Sequence, residues 1–91
     1  MKVHWTEEAA RDLEAIFDYI AADSPHHALK MVEKLLGRSD QIAQFPYSGR
    51  KIRDQDCDAL REVIEGRYRI GYRILDDRIE VLKLVHTSRE H

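Results

Sequence analysis

The 91-residue sequence lacks most of the features that mark secreted, membrane-bound or disordered proteins. Its single cysteine excludes a disulfide within the chain, and it has only four glycines and two prolines. No apolar run approaches the roughly 20 residues of a membrane-spanning helix, and the first five residues are unlike a signal peptide. The formal net charge is −2, whereas nucleic-acid-binding domains are usually clearly basic. We therefore expect one cytoplasmic globular domain over residues 1–91, with no membrane partner.

The first half of the chain has the pattern of one strand followed by two helices. Residues 2–5 suit a short strand, and Thr6 is a favourable N-cap for a helix over residues 7–21. Ser24 and Pro25 mark a second helix start, because serine caps and proline has its φ preset for the first turn. Apolar residues at helical spacing continue this helix to about residue 44. Because the link is short, we expect an antiparallel helical hairpin.

The second half has the pattern of strands. Pro46 ends the helical run, and residues 51–58 are charged and irregular. Strands are expected at about residues 59–65, 67–75 and 78–86. The predicted fold class is therefore α+β: an N-terminal strand, a helical hairpin and then a three-stranded antiparallel meander, with the helices covering one face of the sheet.

The most informative segment is the middle strand, residues 67–75, in which tyrosine and isoleucine alternate with arginine and glycine. Successive side chains of a strand point to opposite faces, so the tyrosines and isoleucines would face the core. Arg67, Arg69 and Arg73 would then share the other face. Three arginines on one sheet face indicate either a solvated surface or an anion-binding surface, and the pattern is compatible with both.

The register of the last two strands follows if residues 76 and 77 form a two-residue loop. The expected cross-strand pairs are Leu75 with Arg78, Arg73 with Glu80, Gly71 with Leu82, Arg69 with Leu84, and Arg67 with His86. His86 then lies on the arginine face, Val85 lies on the core face, and Glu80 compensates Arg73. A change of one residue in the loop would move His86 to the core face.

Several short motifs together resemble the RelE/ParE toxin superfamily. They are Trp5 before an apolar helix, Ser24-Pro25, Phe45-Pro46 with Ser48-Gly49-Arg50, Leu60-Arg61-Glu62, Tyr68-Arg69-Ile70-Gly71-Tyr72, and Val85-His86-Thr87-Ser88-Arg89. The resemblance covers nearly the whole chain, and the fold that it implies, a helical hairpin on an antiparallel sheet, agrees with the fold expected above. It also implies the toxin of a type II toxin–antitoxin pair, held in a hetero-oligomer by a cognate antitoxin.

The resemblance leaves two activities open. RelE-like members cut messenger RNA on the ribosome, whereas ParE-like members inhibit DNA gyrase. RNA cleavage needs cations for the anionic transition state and an acid or base, for which the candidates are Arg61, Arg69, His86 and Arg89. Against this reaction, the chain lacks the lysine-rich basic cluster of RelE-like nucleases and has no tyrosine after Tyr72.

The ParE-like branch is the favoured prediction, because the Ser24-Pro25 start, the Pro46-x-x-Gly49-Arg50 turn and His86-x-x-Arg89 resemble it more closely. A RelE-like endoribonuclease and a catalytically inactive antitoxin-binding module are the alternatives. The candidate target- or antitoxin-binding residues are Arg50, Arg67, Arg69, His86 and Arg89. Simpler roles are also open: Arg69 could pair with Glu62, Arg50 could cap the second helix, and His86 could be an edge histidine. No cofactor, metal or small-molecule ligand is expected.

Overall fold

The computed structural model describes residues 1–52 and 57–89, which form a five-stranded sheet with two helices packed on one face. The elements are β1 (Lys2–Trp5), α1 (Glu7–Ala21), α2 (Pro25–Gln44), β2 (Arg50–Lys51), β3 (Leu60–Glu65), β4 (Tyr68–Ile74) and β5 (Arg78–His86). Short 3-10 turns follow α2 and β5, at Pro46–Ser48 and Thr87–Arg89. The expected N-terminal strand, helical hairpin and antiparallel meander are confirmed.

The sheet has the order β1-β5-β4-β3-β2 and is mixed. The meander and β2 are antiparallel, whereas β1 pairs with β5 in parallel. The short strand β2 was not expected, because residues 51–58 have no strand pattern; it forms through pairing of Arg50 with Glu62 and of Lys51 with Arg61. Two strands therefore extend the meander, one at each edge.

The caps fix where each helix begins. The Thr6 hydroxyl accepts a hydrogen bond from Ala9 N at 3.2 Å, and the Ser24 hydroxyl accepts one from His27 N at 3.2 Å. Each cap satisfies a backbone N–H that has no partner within its helix. Thr6 Oγ1 also donates to the Val81 carbonyl at 3.0 Å, so the start of α1 is tied to β5.

The core lies between the helices and the sheet. Fully buried apolar side chains come from α1 (Ala9), α2 (Leu35, Ile42) and the central strands (Ile70, Tyr72, Ile79, Val81). Tyr68, Ile70, Tyr72 and Ile74 all lie on this face, so the period of two in β4 correctly identified the core side of the sheet. Burial of this common face holds the helical hairpin on the sheet.

Tyr72 is buried completely and joins the end of α2 to the sheet. Its hydroxyl donates to the Pro46 carbonyl at 2.6 Å and accepts from Gly49 N at 3.1 Å. A Cβ at Gly49 would lie 2.8 Å from the Glu62 carbonyl oxygen and closer still to the Tyr72 hydroxyl. Glycine is therefore required at position 49 by this close approach of turn and sheet.

The register of β4 and β5 differs from the expected one. The loop is as expected, since Leu75 N donates to the Arg78 carbonyl at 2.8 Å and Arg73 lies opposite Glu80. Tyr72 then pairs with Val81 but Gly71 pairs with Lys83, so Leu82 is an extra residue in β5. This β-bulge moves every later residue of β5 to the opposite face.

Side chains of α1 and of its N-cap residue bind the backbone around the bulge. Asp12 Oδ2 accepts a hydrogen bond from Leu84 N at 3.0 Å. Thr6 Oγ1 donates to the Leu82 carbonyl at 3.3 Å. As a consequence Leu84 is buried, and the predictions that Leu84 lies on the arginine face and Val85 on the core face are wrong.

A pair of glycine substitutions tests the close approach at Gly49. We expect Gly49→Ala to lower the free energy of unfolding by about 1–3 kcal/mol, because its Cβ must displace Tyr72 or the β3 backbone. Gly37→Ala is the control: it lies in α2 with open space around its Cβ position. It should raise stability by about 0.5–1 kcal/mol through helix propensity. Denaturant unfolding measures both, and equal effects of the two substitutions would contradict the packing argument.

Burial raises the pKa of Tyr72 above its ordinary value of 10.0, although Gly49 N–H and Arg61 oppose the shift. The folded state therefore favours the neutral phenol of Tyr72. The contribution of this phenol to the free energy of unfolding is complete below pH 10.0 and is lost as the pH rises through the folded-state pKa. In an ultraviolet phenolate titration, the difference between the native protein and Tyr72→Phe should have a midpoint above pH 10.0. A midpoint at or below this value would show that the phenol is not buried as described.

Candidate functional site

The sheet face away from the helices carries most of the strand cations, and we call it the outer face. Cross-strand register places on it Lys2, His4, Arg50, Glu62, Arg69, Arg73, Arg78, Glu80 and Lys83. Six of these residues are lysine or arginine and two are acidic. Helix α1 has the opposite balance, with five acidic residues and one arginine. The chain therefore has a cationic surface on one side, although its net charge is −2.

Glu62 organises the centre of the outer face. Its Oε2 accepts hydrogen bonds from Arg50 Nε at 2.8 Å and from Arg69 Nη1 at 2.8 Å, and Arg50 Nη2 lies at 2.7 Å. The Glu62 side chain is 11% exposed, compared with 58% for Arg50 and 29% for Arg69. One carboxylate thus holds two guanidinium groups in fixed positions. The pairing of Arg69 with Glu62 is confirmed, and Arg50 joins this cluster instead of capping α2.

A second carboxylate, Glu80, has a similar role near the loop between β4 and β5. Arg73 Nη2 donates to Glu80 Oε1 at 2.8 Å, and Arg78 Nη2 lies 3.6 Å from Oε2. The hydrogen bond from Arg73 lowers the pKa of Glu80, with further lowering from the nearby charges of Arg73 and Arg78. The predicted compensation of Arg73 is confirmed.

His86 lies on the helix side of the sheet, whereas Arg69 lies on the outer face. It pairs with Tyr68, and the two rings meet edge to face with centroids 5.1 Å apart. The prediction that His86 shares the arginine face is therefore wrong, and the physical reason is the bulge at Leu82. Arg69 lies opposite Val85 instead.

Arg61 is also on the helix side, opposite Tyr72 in β4. Its guanidinium donates to the Gly49 carbonyl at 3.0 Å and to Asp58 Oδ1 at 2.6 Å, and it lies 5.1 Å from the centre of the Tyr47 ring. These contacts brace the turn after α2 against β3. They account for the side chain without any phosphate ligand.

The two remaining candidates lie in turns. Arg67 is exposed and follows Gly66, whose φ of 59° is a left-handed conformation that suits glycine. The Arg67 carbonyl accepts from Thr87 N at 2.7 Å, which joins this turn to the end of β5. Arg89 ends the turn Thr87–Arg89, and its side chain lies outside the described part of the structure.

The structure therefore does not gather the candidate nuclease residues at one place. Arg69 is on the outer face, whereas Arg61 and His86 are on the helix side, at the β2 edge and near α1 respectively. Within residues 1–52 and 57–89, no group of three acidic, histidine or cysteine side chains is placed to hold a metal ion. None of the described helices is long and apolar enough to cross a membrane.

Asp12 was not among the residues predicted from the sequence. This carboxylate lies on the half-buried side of α1, close in sequence to the apolar residues Leu13 and Ile16, and it binds the backbone of β5. An acidic residue next to an apolar helical stripe was the available signal, because a partly buried carboxylate needs a donor.

An N-terminal strand, a helical hairpin and a meander are the elements of the RelE/ParE fold. The family described as "ParE toxin of type II toxin-antitoxin system, parDE" matches residues 3–91. The chain belongs to this ParE toxin family and is the toxin component of a type II toxin–antitoxin system.

Relatives carry names from both branches of the superfamily. Toxin RelE2 of Caulobacter vibrioides is 35% identical over 89 residues, which cover 97% of each chain. A solved chain of the chromosomal ParDE system of P. aeruginosa is 26% identical, with a TM-score of 0.76 over 94% of this chain and 95% of that one. A chain of the RelBE2 toxin–antitoxin complex of Mycobacterium tuberculosis is 24% identical, with a TM-score of 0.61 over 93% and 95%, which shows a shared fold.

Substitution of Glu62 tests the cluster on the outer face. We expect Glu62→Gln to lower the free energy of unfolding by about 1–2 kcal/mol, because the two arginines lose a charged acceptor but stay partly solvated. Glu65→Gln in the same strand is the control, since Glu65 makes no ion pair among the described residues. Thermal or denaturant unfolding measures both variants. An equal loss of stability in Glu65→Gln would show that Glu62 has no special role.

Proposed function

We propose that this toxin acts as ParE-like proteins do, by inhibiting DNA gyrase through protein contact and not by cutting RNA. The observation that carries the proposal is the separation of Arg69 from Arg61 and His86 on opposite faces of the sheet. General acid–base cleavage needs these groups around a single phosphate, within hydrogen-bonding reach of the reacting oxygens. A surface for protein contact has no such requirement.

The outer face is the proposed contact surface. Glu62 fixes Arg50 and Arg69 before any partner arrives, so little side-chain entropy is lost on binding. Lys83 lies beside them on the same face, is exposed, and makes no ion pair among the described residues. Such a surface suits an acidic patch of a protein partner. Arg67 and Arg89, in turns that are joined by a backbone hydrogen bond, would extend the contact.

An antitoxin is the proposed physiological partner. The similar solved chains come from a ParDE system and from a RelBE2 toxin–antitoxin complex, each of which pairs a toxin with an antitoxin. We propose that a cognate antitoxin binds this chain in the cytoplasm and competes with the target. His86 lies on the helix side of the sheet, so the antitoxin would contact it at a different place from the arginines of the outer face.

RNA cleavage remains the alternative activity because of one observation. The relative named Toxin RelE2 is 35% identical over nearly the whole chain. A ribonuclease would have to combine Arg69 with residues other than Arg61 and His86.

Induced expression without the antitoxin separates these activities. We expect filamentous cells and blocked DNA supercoiling, with messenger RNA left intact. Rapid loss of translation with cleaved messenger RNA would replace the proposal with a RelE-like ribonuclease. Normal growth at full expression would indicate an inactive antitoxin-binding module.

Charge reversal tests the outer face in the same assay. We expect Lys83→Glu to raise the toxin level needed for growth arrest about tenfold, equivalent to about 1.4 kcal/mol of binding. Lys30→Glu, at an exposed position of α2, is the control and should leave toxicity unchanged. Equal toxicity of both variants would exclude the outer face, and full toxicity of an Arg69→Ala, Arg89→Ala double variant would remove those two arginines from the site.

A further inference from the structure

A pocket of about 270 Å³ lies between α1 and the end of β5, on the side of the sheet opposite the outer face. Its walls include Asp12, Ile16, Tyr19, Tyr68, Leu84 and His86. Neither the family membership nor the proposed gyrase contact assigns a role to this pocket.

The pocket lies beside the part of β5 that continues past the end of β1. β1 pairs with β5 only as far as Val81, whereas β5 continues to His86. Beyond Val81, Thr6 at the start of α1 and Asp12 within it bind the backbone of β5 in place of a neighbouring strand. The last part of β5 therefore has a side that a partner chain can approach.

The lining combines an apolar floor with one carboxylate. Ile16 and Leu84 give the apolar surface, and the rings of Tyr68 and His86 stand edge to face beside it. Asp12 uses Oδ2 to bind Leu84 N, and no lysine or arginine of the described residues forms an ion pair with it. Such a carboxylate attracts a cation, and aromatic rings beside it add to that attraction.

The surrounding charges favour a positive ligand. Glu8 lies one helical turn before Asp12 on α1, and this helix carries five acidic residues against one arginine. Among the described residues, no lysine or arginine lines the pocket.

We propose that this pocket binds an arginine or lysine side chain of the antitoxin, carried on a segment with apolar neighbours. The methylene groups would pack on Ile16 and Leu84, and the charged end would reach Asp12. The pocket adjoins the part of β5 with which no described strand pairs on that side, so the ligand is a side chain that projects from a polypeptide and not a free small molecule. The identity of the partner rests on the proposed function, whereas the chemistry of the pocket does not.

A peptide titration tests the pocket directly. The probe is the capped tripeptide Leu-Arg-Leu, followed by NMR shifts of the amides of Leu84 and His86. Leu-Glu-Leu and the uncharged Leu-norleucine-Leu are the matched peptides. We expect saturable shifts with the arginine peptide and at least about tenfold weaker binding of the other two. Equal binding of all three peptides, or no shift at the pocket amides, would overturn the proposal.

Asp12→Asn isolates the charge, because its amide oxygen can still accept from Leu84 N. The variant should bind the arginine peptide about tenfold more weakly. Asp18→Asn, on an exposed position of the same helix outside the pocket, should bind as the native protein does. Unchanged affinity of Asp12→Asn would overturn the proposal. Tighter binding of the arginine peptide by Arg89→Ala would also overturn the proposal. It would show that the chain's own Arg89 competes for the pocket.

Neutralisation in cells gives a second readout. Cells that express Asp12→Asn should need more antitoxin to restore growth than cells that express Asp18→Asn. If the chain does not arrest growth, the proposed function fails, and the peptide titration still decides the pocket. If the chain arrests growth but the antitoxin suppresses both variants equally, the pocket proposal fails and the proposed function stands.

Discussion

The hydrogen bonds that α1 makes to the bulged part of β5 determine which side chains of this toxin can act together. An extra residue at Leu82 leaves backbone groups without partners in the sheet, and unpaired buried groups of this kind are costly. Thr6, the N-cap of α1, and Asp12 in the second turn of that helix supply such partners to Leu82 and Leu84. The bulge then turns Leu84 and His86 toward the helices, which creates the pocket and removes His86 from the arginines. The bulge and its contacts with Thr6 and Asp12 thus decide on which face each residue at the end of β5 lies.

The other edge of the sheet, formed by β2 and β3, is held by a different set of contacts. The Tyr72 hydroxyl holds the turn after α2, Arg61 braces the same turn, and Gly49 permits the close approach. β2 follows immediately and brings Arg50 to Glu62. The cluster around Glu62 therefore joins Arg50, which comes just after the helices, to Arg69 of the middle strand. The turn that places Arg50 is held by one buried tyrosine, Tyr72.

Local patterns predicted most of the fold, and contacts between distant residues account for what they missed. The helix starts follow from Thr6 and Ser24, and the core side of β4 follows from its alternation, since both signals involve near neighbours. The bulge left no such signal, because the apolar residues around Lys83 fit either register. The parallel pairing of β1 depends on a strand more than seventy residues away. For the site, the pairs of Arg69 with Glu62 and of Arg73 with Glu80 were foreseeable from charge, whereas the position of His86 was not.

The opposite charge balance of α1 and the outer face gives the molecule a permanent electric dipole moment. A uniformly charged protein would be attracted or repelled as a whole by a charged partner, but a dipolar one also experiences a torque. Near an anionic surface this torque would turn the arginines inward and α1 outward before contact. At about 0.1 M ionic strength the Debye length is about 10 Å, so the reorientation would take place only in the last step of approach. Higher salt would then slow productive encounters without altering any contact in the bound state.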